Sequence, residues 1–236
     1  MFTIEIAGII INIQNKHTYV ESICRDFITD RQNFDFSVSV SSEEFSKERE
    51  ATPPSFSDGF VESVCIYRNI SKQLPKYNAL VLHAAALEYE GRAYCFSAPS
   101  GTGKTTHVIL WQECFLDKVS IINGDKPILR IMKDGKIYVC GTPWGGKEEL
   151  FSNKCVPLKS ICFIERANNN SISKIDSHVA LTKILPQLFF DTTPNHKSET
   201  ISLLEPILRN SEFWLLKCDK TTDAAITSFN ALTSKD

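Results

Sequence analysis

Phe2, Ile4 and Ile6 alternate with Thr3, Glu5 and Ala7, the period of a half-buried strand. Gly8 interrupts the pattern and Ile9 to Ile13 resume it almost without polar breaks, so a bulge or a hairpin turn is expected there. Val20, Ile23, Cys24 and Phe27 fall at helical spacing, and Phe34, Phe36, Val38 and Val40 return to alternation. The charged run from Ser41 to Glu50 reads as a surface helix or a loop, closed by Pro53-Pro54. That double proline is the expected boundary between an N-terminal α/β portion, residues 1–54, and a core, residues 55–236.

Beyond it, Phe60, Val61, Val64, Cys65 and Tyr67 predict a helix before Pro75. Ala79 to Leu87 predicts a strand, turned at Glu90-Gly91 into a second apolar run, Arg92 to Ser97. His107 to Trp111 begins a helix, and Lys118 to Asp125 reads as an apolar strand ending in an acid. Pro127 to Met132 and Lys136 to Cys140 predict a hairpin across Asp134-Gly135. Ser160 to Glu165 reads as a strand, and Asn168 to Asn170 as a loop. Leu181, Ile184, Leu185, Leu188 and Phe189 suggest a helix kinked or restarted at Pro186. Phe213 to Lys217 is a last strand, and Thr221 is placed to cap a helix with Ala225, Ile226, Phe229 and Leu232 on one face. Strands interleaved with helices predict an α/β fold with a mixed sheet at its core.

Composition narrows the class. The 236 residues suffice for one sizeable domain, and 42% hydrophobic content is ordinary for a globular chain. A net charge of −2 lacks the basic excess of a nucleic-acid or anionic-membrane binder. No apolar run approaches the ~20 residues that span a bilayer. The N-terminus lacks the basic residues of a signal peptide, so a cytoplasmic location is expected. The eight cysteines are scattered singly with no C-x-x-C pair, and they read as buried free thiols of a reducing compartment.

The chemistry concentrates at Ala98 to Thr106, A-P-S-G-T-G-K-T-T, between a predicted strand and a predicted helix. That order is the context of a phosphate-binding loop. A helix N-terminus offers unpaired N–H groups and partial positive charge, and glycines let those groups converge on phosphate oxygens. Ser100, Gly101, Thr102, Gly103, Lys104, Thr105 and Thr106 are therefore expected to hold a nucleoside triphosphate. Lys104 would reach its outer phosphates and the Thr105 hydroxyl would ligate Mg²⁺. A glycine-rich turn before an ordinary helix is the plainer alternative. Asp125, at the end of an apolar strand, is a candidate metal-linked carboxylate, with turn formation or capping as its structural alternative. His83 on its own fits a packed or capping histidine better than a catalytic one. The segment Gly141 to Glu149 has two readings: a lining of the site, with Trp144 over a ligand and Lys147 on a phosphate, or a surface turn anchored by its tryptophan. Lys154, Lys159 and Arg166 read as solvated charges.

The ordered set H83-A-A-A, G-x-A-x-x-F from Gly91, S-G-T-G-K-T-T from Ser100 and N-G-D from Asn123 resembles the phosphoenolpyruvate carboxykinase/HPr kinase superfamily. The resemblance covers roughly residues 80 to 165 and is closest to small bacterial HPr-kinase-like proteins. It implies a core like the C-terminal domain of HPr kinase, ATP and Mg²⁺ as cofactors, and the hydroxyl of a protein or peptide as acceptor. It also implies that His83, Asp125 and Lys104 carry the reaction, with Thr105, Asp125 and His83 near the metal. Lys126 departs from the pattern by standing where those families have a second aspartate. We expect it to point away from the site, leaving one Mg²⁺ on Thr105 and Asp125. A kinase is the expected function; a nucleotide-binding accessory protein without transfer is the alternative. A small carboxykinase is disfavoured by the length and by missing substrate arginines. A homo-oligomer is compatible with the sequence, which does not fix the oligomeric state.

Overall fold

The computed structural model describes residues 1–189, 191 and 194–234. Ile4, Ile6, Ile9, Ile11 and Ile13 are completely buried, and they build the first hairpin, β1 (Phe2–Ile6) antiparallel to β2 (Ile9–Gln14). Its turn residues Ala7 and Gly8 have φ of 56° and 72°, the doubly positive signature of a type I′ turn, whose twist suits the flanking strands. Helix α1 (Thr18–Ile23) follows, and β3 (Phe36–Ser39) joins β2 in parallel. The charged run forms a helix, α2 (Ser42–Ala51), because Ser41 and Glu44 close a capping box at its start. Helix α3 (Asp58–Gln73), capped by Ser57, lays Cys65, Ile66 and Ile70 on this sheet. The same cluster continues into Val81, Ile128 and Cys140 of the larger sheet, and the Arg130 guanidinium donates to the Ala7 carbonyl.

The apolar run from Ala79 splits into β4 (Ala79–Val81) and β5 (Ala84–Tyr89), with the break at Leu82-His83. There follow β6 (Arg92–Ser97), α4 (Lys104–Phe115), β7 (Val119–Asn123), and the predicted hairpin of β8 (Ile128–Ile131) and β9 (Ile137–Cys140). Strand β10 (Cys155–Arg166) is longer than its apolar stretch suggests. Then come β11 (Ser171–Ile175), α5 (Ser177–Ile184) with a 3-10 turn at Leu185–Gln187, α6 (Pro194–Ser202), α7 (Leu204–Asn210), β12 (Glu212–Cys218) and α8 (Thr222–Thr233).

Among the described residues these strands form a curled mixed sheet of nine, ordered β4-β8-β9-β10-β6-β5-β7, with β12 on the other side of β10 and β11 beyond it. The curl runs through β10. Its first residues pair antiparallel with β9, while its later ones pair parallel with both β6 and β12. Strands β6, β7, β10 and β12 consequently point the same way, and their carboxyl ends open on one edge, where α/β sheets hold ligands. Period-two alternation supplies both faces. Tyr94, Phe96, Leu87 and Leu216 meet α4 and α8; Ala93, Cys95, Ile161 and Phe163 meet α5 and α7.

Three expectations are corrected. Cys140 and Cys155 are not free thiols: β9 and β10 pair in the register that sets them directly opposite, and they form a disulfide. Cys24, Cys65, Cys95, Cys162 and Cys218 are buried thiols and Cys114 a half-buried one. Thr221 occupies the N-cap position of α8 without capping it; its hydroxyl instead donates to Asp219 Oδ1 at 2.6 Å. Ile226 is also turned out of the apolar face of α8, at 44% exposure. No helix among the described residues is long and apolar enough to cross a membrane.

Candidate functional site

The loop between β6 and α4 carries two positive backbone angles, φ 76° at Gly101 and 122° at Gly103, which side-chain-bearing residues rarely adopt. Neither glycine is needed for space, since a Cβ there would meet nothing within 4 Å. Gly103 is the N-cap of α4 and offers no side-chain cap, so the first N–H groups of the helix are left for another partner. Ser100 and Thr106 are exposed, Thr102 and Thr105 half-buried.

Lys104 opens α4 and turns back beneath the loop. Its Nζ lies 3.1 Å from the Ala98 carbonyl and 2.9 Å from His83 Nε2, and the residue is 6% exposed. Burial lowers its pKa to about 8; Asp125 opposes that shift and Lys126 adds to it. His83 sits at the break between β4 and β5. Its backbone N–H donates to the Gln187 carbonyl at 2.8 Å, its Nδ1 lies 3.0 Å from Gln187 Oε1, and its Nε2 is 3.2 Å from Asp125 Oδ1.

Asp125 stands in a turn held by a completely buried asparagine. Asn123 Oδ1 accepts from the backbone N–H groups of Asp125 and Lys126, at 2.9 and 2.7 Å, while Asn123 Nδ2 donates to the carbonyl and hydroxyl of Thr142. Gly124 must be glycine because a Cβ there would lie 2.5 Å from the Gly145 carbonyl oxygen. Thr105 Oγ1 donates to the Gly124 carbonyl at 3.2 Å, joining the start of α4 to this turn. Burial works to raise the Asp125 pKa. The His83 hydrogen bond and the charges of Lys126, His83 and Lys104 outweigh it and hold the carboxyl below its ordinary value.

His83, Lys104, Thr105 and Asp125 are thus brought together at the sheet edge. Lys126 does not point away as expected: its Nζ lies 3.4 Å from Asp125 Oδ2, because the Asn123-centred turn brings both side chains round to the same side. Trp144 packs on Tyr67 with ring centroids 5.4 Å apart, while the glycines beside it line the acid as the first alternative has it: a Cβ on Gly146 would stand 3.1 Å from the Asp125 Cβ. Lys147 is exposed. Arg166 is not merely solvated. Its guanidinium donates to the Gly101 and Thr102 carbonyls and so braces the glycine-rich loop from the end of β10. Lys154 and Lys159 are paired with Glu88 and Glu212.

The sequence reading assigned no part to Gln187, Asn123 or Thr142. Asn123 stood inside a motif, N-G-D, that drew attention only to its acid, whereas Gln187 lies in a segment with no polar pattern at all. Beside the loop, a cavity of about 310 Å³ is lined by Thr102, Gly103, Thr106, His107, Arg166 and Asp219, among others. Among the described residues no group of three or more His, Cys, Asp or Glu side chains is placed to hold a metal ion. No family model matches the chain, and no curated protein does.

Proposed function

We propose that the chain is an ATP-dependent kinase of the HPr-kinase-like kind, transferring the γ-phosphoryl group to a hydroxyl of a protein or peptide. The observation that carries this reading is the convergence of Lys104, His83 and Asp125 at the mouth of a glycine-rich loop whose helix N-terminus is uncapped. The phosphates would lie on the N–H groups of that loop, with the Lys104 ammonium released from Ala98 and His83 to bind them. The adjoining cavity is of a size and polarity to receive the rest of the nucleotide. Thr105 Oγ1 and the Asp125 carboxylate are hard oxygen donors that suit one Mg²⁺, completed by phosphate oxygens and water. Such an ion supplies charge neutralisation on the transferred group. A second ion does not fit, since the Lys126 ammonium already stands at Asp125 Oδ2.

In the reaction, the acceptor oxygen forms a bond to the γ-phosphorus as the bond to the β-phosphate oxygen breaks. Asp125 takes the acceptor's proton, and Lys104 balances the charge gathering on the leaving diphosphate. The same Lys126–Asp125 pair favours a second reading, an accessory protein that binds nucleotide without transfer, because a carboxylate paired with an ammonium is a weak base. Incubation with γ-labelled ATP and a lysate of the native host separates them. A labelled protein or peptide that Asp125→Asn reduces by about 10²–10⁴-fold, with nucleotide still bound, is the kinase result. Tight ATP binding with neither labelled acceptor nor hydrolysis is the accessory result.

A further inference from the structure

We infer that Arg166 is a positioning residue for the glycine-rich loop: it draws two carbonyls to one side and so aims the N–H groups behind them at an anion on the other. Strand β10 outruns its neighbour. Its last pair with β6 is Phe163 with Ser97, whereas Arg166 still pairs with Cys218 of β12. The next residue, Ala167, donates its backbone N–H to the Cys218 carbonyl at 2.9 Å. The Arg166 backbone is therefore fixed by the sheet, independently of the loop, and only its side chain crosses over. There Nε donates to the Thr102 carbonyl at 3.2 Å and Nη2 to the Gly101 carbonyl, two donors of one planar fork.

In a trans peptide the C=O of one residue and the N–H of the next point in opposite directions. Holding the Gly101 and Thr102 oxygens toward β10 sends the N–H groups of Thr102 and Gly103 the other way. That of Thr102 is spent on the Pro99 carbonyl at 3.3 Å, and that of Gly103 meets no acceptor among the described residues. Each of the two peptide planes has a glycine at one end, at φ 76° or 122°, where no side chain restricts rotation. A plane that turned over would present a carbonyl oxygen where a donor belongs, and that oxygen would repel a phosphate. The fork is what keeps both planes from turning. Its work is done from the carbonyl side of the loop, and Arg166 is exposed and lines the adjoining cavity, so a small guanidine can reach the same oxygens when the side chain is removed.

The consequence for affinity rests on the kinase reading, since it needs phosphates on the loop; the order of the loop does not, and the experiment keeps them apart. In the ligand-free full chain, ¹⁵N–¹H heteronuclear NOEs of Gly101, Thr102 and Gly103 report that order. They should equal those of α4 in the native protein, fall in Arg166→Ala and Arg166→Lys, and return in the alanine variant when ethylguanidine is added. Calorimetry with inorganic tripolyphosphate and with ATP reads the anion. Arg166→Lys keeps the charge and loses the fork, so both variants should bind about 10–100-fold more weakly, with ethylguanidine recovering most of the loss in Arg166→Ala. Should the alanine variant fail to fold, the lysine variant is read instead. A lysine variant that binds as tightly as the native chain would show that charge suffices, and loop NOEs unmoved by substitution would show that the fork orders nothing; either result overturns the inference. Loop NOEs that fall in a protein whose native form binds neither tripolyphosphate nor ATP sustain the hold of Arg166 on the loop and remove the kinase.

Discussion

Raising the pH from 7 to 9 should weaken ATP binding about tenfold, and the origin is a single side chain. Burial holds the Lys104 pKa at about 8 in the ligand-free protein, so the ammonium is about 90% formed at pH 7 and about 10% formed at pH 9. A triphosphate in contact with Lys104 favours its charged form and lifts the pKa well above that range. Binding above pH 8 must then take up the missing proton, and the affinity falls by the ratio of the two proton costs. That ratio is about tenfold between pH 7 and pH 9, or about 1.4 kcal/mol. Asp125 does not titrate in this window, because its carboxyl is held below its ordinary value. Calorimetry at both pH values, in two buffers of different ionisation enthalpy, gives the affinity and counts the protons together. We expect an uptake close to 0.9 proton at pH 9 and close to 0.1 at pH 7. Lys104→Met should bind weakly and lose this dependence. The ligand-free protein should show the opposite sign. The unfolded lysine holds its proton up to its ordinary pKa of 10.5 while the folded one releases it near 8, so stability gained from this group rises with pH between the two. An affinity equal at pH 7 and 9, with no proton taken up, would refute both the placement of Lys104 on phosphate and the assignment of its titration.

Two further outcomes follow from the packing around the site. His107, whose burial pushes its pKa down to about 4, lies against Ser228 at 2.9 Å in the α4–α8 contact. The unfolded chain binds a proton below its ordinary value of 6.5 that the folded chain refuses. Stability should therefore drop by about 2 kcal/mol from pH 7 to pH 5, and denaturant titration of His107→Gln should show that increment gone. Reduction of Cys140–Cys155, which closes a loop of 15 residues, should cost about 3 kcal/mol and lower the melting temperature by roughly 6–12 °C. An unchanged melting curve in the presence of a dithiol reductant would show that the crosslink contributes nothing.

Local order was legible in the chain wherever short-range rules decide it. The β1–β2 hairpin follows from alternating isoleucines around a glycine, and the loop before α4 from its strand, glycines and lysine. Both are set by neighbours a few residues away. What stayed hidden depends on register between distant segments. Cys140 and Cys155 meet only because β10 begins early enough to pair with β9 before turning to β6 and β12. β11 was invisible because its exposed residues Ser171, Ser173 and Lys174 carry no apolar period; it is a strand only as the partner of β12. Lys126 could not be aimed from sequence, since where its side chain lies depends on the turn in which Asn123 Oδ1 holds the backbone N–H groups of Asp125 and Lys126. Gln187 lies more than a hundred positions from His83, and nothing near it in the chain announces that its side chain meets that ring.

The turn that carries Asp125 has one more consequence, for how the molecule ages. Asn123-Gly124 is the dipeptide most prone to spontaneous deamidation, in which the glycine nitrogen attacks the asparagine side-chain carbonyl and ammonia leaves by way of a cyclic imide. In the folded chain both reactants are occupied. The Gly124 N–H donates to the Leu150 carbonyl at 2.8 Å, and the Asn123 side chain is pinned by Thr142, Asp125 and Lys126 in a place wholly closed to water. Folding thus shields the hinge of the site from a clock that runs in the unfolded chain. A molecule that lingered unfolded would return with aspartate at position 123, which has no amide proton for Thr142, or with isoaspartate, which lengthens the backbone through the turn.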